Sequence, residues 1–165
     1  IIGNRHKVAL ENPTYRQAYR LFENLSCEVC TVDMDKKGMM VDQLTSSGAD
    51  IAFVMPSHQY PLGIVMPIRR RLELLNWAYE KENRYIIEDD YDSEFRYKGK
   101  PIPALQGFDK EERVIYLGTF SKSIAPSIRI SYMVLPKKLM QRYLSGEDPF
   151  SVTVSRADQK ILELF

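Results

Sequence analysis

The sequence predicts an α/β fold with a mostly parallel sheet and helices packed on its faces. Two observations carry this. Short β-rich runs alternate with helical stretches along the chain, the pattern of strand–helix–strand units. Most of those runs are also short and nearly continuously apolar, as strands covered on both faces must be. The chain has 165 residues, 44% of them hydrophobic and 27% charged, which suits one core-forming domain. Ten Tyr, seven Phe and one Trp supply the bulk to fill that core.

Taken in order, strands are expected at 7–10, 28–32, 50–55, 84–88, 113–117 and 129–135. Helices are expected at 14–25, 41–47, 68–82 and 137–144. The third helix carries Leu72, Leu75, Trp77, Ala78 and Tyr79 among Arg, Glu and Lys, an apolar stripe at helical spacing. Pro67 falls at its first turn, where a missing N–H costs little. Loops bearing Pro and Gly lie at 56–63, 98–107 and 145–149, and none has the length of a domain linker. There is no internal repeat and no low-complexity segment.

Lys plus Arg is 23 and Asp plus Glu is 22, a formal net charge of +1. That balance gives no footprint for phosphate backbones or anionic membranes. No apolar run is long enough to span a bilayer, and the start has no signal-peptide layout. Cys27 and Cys30 form a C-x-x-C, but His6 and His58 lie too far off to complete a zinc site. The two are read as packing units of a strand in a reducing cytoplasm. Both ends read as cut: Ile1-Ile2 opens the chain on an apolar pair, and Ile161 to Phe165 closes it on an amphipathic run with no stop signal. The expectation is a piece of a longer protein whose exposed apolar surface makes it self-associate, retain cofactor weakly and turn nothing over.

In open α/β sheets, ligands gather beyond the carboxyl ends of the strands. Three strand ends carry candidate chemistry. One runs into Glu88-Asp89-Asp90-Tyr91-Asp92, one into Gly118-Thr119-Phe120-Ser121-Lys122, and one into Pro56-Ser57-His58-Gln59-Tyr60-Pro61-Leu62-Gly63. Arg129 follows Lys122 by seven residues. A lysine can bond covalently to an aldehyde cofactor, and a buried carboxylate can hold a proton on a ring nitrogen. An Arg with Thr119 and Ser121 hydroxyls can hold a phosphate, and an aromatic face such as Tyr15 can stack on a ring. The residues alone leave other roles open. Lys122 could be a surface lysine, the carboxylates could cap a helix or hold a divalent cation, and Arg129 could pair with one of them. His58 reads as a hydrogen-bonding loop residue.

The stretch from Gly118 to Tyr132 resembles the cofactor-lysine segment of fold-type I aminotransferases. More narrowly, it is similar to the aminotransferase-like domain of MocR/GabR-type regulators in the GntR group. Glu11-Asn12-Pro13-Thr14-Tyr15, Pro56 to Gly63 and Glu88 to Tyr97 agree with it, in the right order. The resemblance implies a three-layer αβα large domain that binds pyridoxal 5'-phosphate (PLP), with residues 1–165 as its central part. It implies that Lys122 is the catalytic, cofactor-linking lysine. Asp89 would pair with the pyridine nitrogen, Tyr91 with the phenolic oxygen, Arg129 and Thr119 with the phosphate, and Tyr15 would stack on the ring. Asp89 is chosen over Asp90 because the family's carboxylate stands two before its Tyr. Tyr60 takes the place of the asparagine found in the Asn-Pro-x-Gly turn of ordinary aminotransferases, as in the regulators. The resemblance further implies a homodimeric parent, an amino-acid or amine effector, DNA contact only through a winged helix outside this chain, and no metal. A true aminotransferase and a cofactor-free acidic metal site are the rival readings.

Overall fold

The computed structural model describes residue 3 and residues 5–92, 102–145 and 154–164. The expected motif residues 93–97, the loop residues 98–101 and 146–149, and the terminal Ile1, Ile2 and Phe165 lie outside the described residues.

Seven strands form one sheet in the order β3-β2-β1-β4-β5-β6-β7. They are β1 (Lys7–Asn12), β2 (Glu28–Asp35), β3 (Gly38–Met39), β4 (Ile51–Val54), β5 (Tyr85–Asp90), β6 (Val114–Thr119) and β7 (Ser131–Val134). The pairs β1–β2, β1–β4, β4–β5 and β5–β6 are parallel. The two outer pairs, β2–β3 and β6–β7, are antiparallel. Five helices accompany them: α1 (Arg16–Asn24), α2 (Val41–Ser46), α3 (Ile68–Tyr79), α4 (Lys137–Leu144) and α5 (Arg156–Leu164).

The pleat sorts the apolar strand residues into two cores. On one face Ala9, Val32, Ala52, Val54, Ile86 and Val114 meet Leu44 of α2 and Leu74, Leu75, Trp77 and Ala78 of α3. On the other, Val8, Leu10, Ile51, Phe53, Ile87 and Ile115 meet Ala18 of α1 and Leu139 of α4. The result is the expected three-layer αβα arrangement. Since β2 lies on one side of β1 and β4 on the other, strand order reverses there, and a crevice opens at the carboxyl ends.

Several expected boundaries are corrected. Strand β2 runs three residues past its expected end, to Asp35, and β5 and β6 run two past theirs, to Asp90 and Thr119. Ladder hydrogen bonds continue through polar residues that hydrophobic patterning does not register. The expected strand at 129–135 begins only at Ser131, because Arg129 takes a left-handed backbone (φ 48°) after a 3-10 turn at Pro126–Ile128. Helix α1 starts two residues later than expected, behind Tyr15, and α3 ends at Tyr79 rather than 82. Strand β3 was not expected; its two residues are too few to show a period. Cys27 and Cys30 are both free. They pack against opposite cores, as packing units do.

Candidate functional site

A cavity of about 730 Å³ opens at the carboxyl ends of the central strands. It is lined by Tyr15, Tyr60, Asp89, Tyr91, Thr119, Lys122 and Arg129, which are all seven residues singled out in the sequence. Met55, Ser121, Pro126 and Ser131 complete the lining. Ser121 was also named as a phosphate donor; Pro126 and Ser131 belong to the Gly118–Tyr132 stretch but were given no role, and Met55 enters through the fold.

Asp89 owes its place to the pleat. Glu88, Asp89 and Asp90 are consecutive in β5, so their side chains alternate between the two faces. Glu88 is fully buried on the α3 side, where its carboxylate accepts the amides of Leu105 and Gln106, both at 2.8 Å, beside Arg71 at 3.8 Å. Asp90 accepts a hydrogen bond from the Tyr116 hydroxyl at 2.8 Å. Asp89 alone of the three lines the cavity. Burial, with the charge of Asp90 behind it, pushes the Asp89 carboxyl up to about 6. No cation pairs with it among the described residues.

Lys122 lies in the turn after β6, half exposed. Its ammonium sits 3.3 Å from Asp92 Oδ2 and 4.6 Å from the centre of the Tyr91 ring. The same Asp92 oxygen meets His58 Nδ1 at 2.8 Å, so His58 is a hydrogen-bonding loop residue as read. Sequence reasoning grouped Asp92 with the acidic cluster and missed that it holds the lysine; only its position just after Tyr91 hinted at this. Tyr91 lines the cavity but donates its hydroxyl to the carbonyl of His58 at 2.7 Å. Burial and the nearby Asp92 push its ionisation up to about 12.

Thr119 closes β6, donates to the Ile130 carbonyl (3.2 Å) and accepts the Ser121 amide (3.2 Å). Arg129 enters the same end of the cavity from its left-handed turn. That backbone costs a non-glycine residue about 1–2 kcal/mol, and such strain collects at ligand clamps. Opposite them, Tyr15 and Tyr60 meet edge to face, ring centres 5.8 Å apart. Among the described residues no group of three or more His, Cys, Asp or Glu is arranged to hold a metal ion.

A sheet of this topology, with a lysine, a half-buried carboxylate and an arginine around one crevice, defines a class, and comparison with known proteins agrees. The profile of the family "Aminotransferase class I and II" matches residues 2–163, and the chain belongs to that family. It is 43% identical over 158 residues to the HTH-type transcriptional regulator YdeL of Bacillus subtilis (strain 168), covering 96% of this chain and 34% of the relative. To the regulator YhdI of the same organism it is 45% identical over 159 residues, with coverage of 96% and 34%. The chain thus spans about a third of the length of these relatives. Among solved structures, the kynurenine aminotransferase of Pyrococcus horikoshii, in complex with PMP, superposes with a TM-score of 0.78 at 33% identity, covering 85% of this chain and 37% of that one.

Proposed function

We propose that this chain is the PLP-binding, aminotransferase-like effector domain of a MocR/GabR-type transcriptional regulator. One observation carries the cofactor: Asp89, a half-buried carboxylate with no cationic partner among the described residues, shares a crevice with an arginine and with Lys122, which is held by Asp92. That donor set fits PLP. Asp89 would hold a proton on the ring nitrogen, Arg129 with Thr119 and Ser121 would take the phosphate, and Tyr15 would cover the ring face. Bound there, PLP supplies an aldehyde that links to amines and a ring that withdraws electrons from them.

The protein's own residues do the rest. Lys122, held by Asp92 at 3.3 Å, would be the amine that meets the aldehyde, and Asp92 would keep His58 as its partner. Tyr91, whose hydroxyl donates to the His58 carbonyl, would be the donor for the ring's phenolic oxygen. Tyr60 covers the position that an asparagine side chain takes in ordinary aminotransferases. The regulator reading is supported by similarity over nearly the whole chain to two helix-turn-helix regulators. With it come an amino-acid or amine effector, a homodimer, a cytoplasmic setting, and DNA contact through a separate domain. No helix among the described residues is long and apolar enough to cross a membrane.

The likeness to a kynurenine aminotransferase favours a second reading, a true aminotransferase. The full-length protein separates the two. PLP with an amino compound should change its affinity for its own promoter DNA, with little oxo product formed. Sustained oxo-acid formation with no effect on DNA affinity would establish the aminotransferase instead.

A further inference from the structure

The cavity's aromatic wall is held from behind by residues that the cofactor chemistry does not use. Gln59 is 1% exposed. Its Nε2 donates to the carbonyls of Pro13 (2.9 Å) and Tyr60 (2.8 Å), and its Oε1 accepts the amide of Leu62 (3.1 Å). One side chain therefore straps the segment leading to Tyr15 onto the loop that carries Tyr60. Behind the strap lies Glu11 of β1, fully buried. Its carboxyl group is approached by the amide of Met55, at 3.4 Å from Oε2, by the Gln59 side chain and by the Met39 amide. Its Oε1 has no hydrogen-bond partner.

We propose that Glu11 and Gln59 are positioning residues for the Tyr15–Tyr60 wall, and that loss of the Glu11 proton loosens the loop carrying Tyr60. As the wall of a ring-binding cavity, this rests on the PLP reading; as a pH-sensitive clasp, it stands on the ligand-free structure.

The charged groups around Glu11 are engaged elsewhere. From α3, Arg70 binds the carbonyls of Gly38 and Met39 together with Asp35 of β2. Arg71 binds the carbonyls of Met66, Pro56 and Pro103, near Glu88 of β5. Asp33 of β2 accepts from Asn12, and His58 of the loop meets Asp92. No cation is among the groups that set the titration of Glu11, and burial, opposed by three hydrogen bonds, pushes it up to about 7. Once ionised, the group has only the donors of Met55, Met39 and Gln59 to draw on, and drawing on Gln59 competes with the strap. The alternative is for the loop to open and admit water.

The sign follows from linkage. The closed form keeps the proton up to about pH 7, whereas an opened, hydrated carboxyl releases it near its ordinary 4.5. Opening therefore becomes about tenfold easier for each pH unit between those limits and levels off above. Amide hydrogen exchange of the PLP-free protein tests this, read on peptides covering residues 56–66 from pH 5 to 8 and corrected for intrinsic exchange. Wild-type protection should fall about tenfold per unit up to pH 7 and then flatten, and Glu11→Gln should remove that slope. A wild-type profile flat from pH 5 to 7 overturns the proposal without any variant, and so does a Glu11→Gln profile that keeps the wild-type slope. Because no PLP is present, failure of the protein to bind PLP would count against the preceding reading alone.

Discussion

Glu88, Asp89 and Asp90 differ by at most one methylene, yet the pleat gives each a separate task. Glu88 fixes the 3-10 turn at Leu105–Phe108, Asp90 anchors Tyr116, and Asp89 faces the cavity. The residue types at the site were legible in the sequence, because lysine, arginine, carboxylate and aromatics fall at strand ends. Their sidedness was legible only through the resemblance, since expecting β5 to stop at 88 hid the alternation that separates Asp89 from Asp90. The position of Asp89 has a cost that can be measured. Its carboxyl is raised to about 6 from 3.8, so the folded form holds a proton that the unfolded chain releases. That contribution to stability is full below pH 3.8 and is lost as pH rises through 6, a difference of about 3 kcal/mol by neutrality. Without PLP, Asp89→Asn should be about 2–3 kcal/mol more stable than wild type at pH 7.5, with the gain gone near pH 4. Its affinity for PLP should nonetheless fall at least tenfold. Urea unfolding at both pH values and a PLP titration check this; equal loss of stability at both pH values would refute the role assigned to burial.

At the scale of elements, β6 and β7 position Thr119, Lys122 and Arg129 together. Gly118 pairs with Tyr132 across this antiparallel ladder, and a Cβ at Gly118 would lie 2.3 Å from the Tyr132 ring. Gly118→Ala should destabilise the protein by about 1–3 kcal/mol, and most of that cost should vanish in a Tyr132→Ala background. A penalty that stays the same in the double variant would show that the ring is not the obstacle. Apolar runs revealed β1, β4, β5 and β6, and the stripe on α3 revealed that helix. What escaped were features set by hydrogen bonding or local backbone. These are the polar ends of β2, β5 and β6, the two-residue β3, and the left-handed Arg129 that delays β7.

For the whole molecule, two cores flank one sheet and the crevice opens where strand order reverses. Large apolar side chains stand exposed on three elements: Tyr132, Met133 and Val134 of β7, Met140, Tyr143 and Leu144 of α4, and Ile161 and Leu164 of α5. A surface of that kind drives association. The 165 residues expressed alone should therefore sediment as oligomers, and Met133→Lys with Leu144→Glu should shift them toward the monomer. A wild-type chain that stays monomeric at high micromolar concentration would contradict this. On the proposed reading, one crevice built from three strand ends would hold PLP on Lys122. The most direct measurement is borohydride reduction of the full-length protein saturated with PLP, followed by peptide mapping. One reduced phosphopyridoxyl group is expected, on Lys122, and none in Lys122→Ala. A label on Lys81 or Lys160, or one that survives in Lys122→Ala, would contradict it.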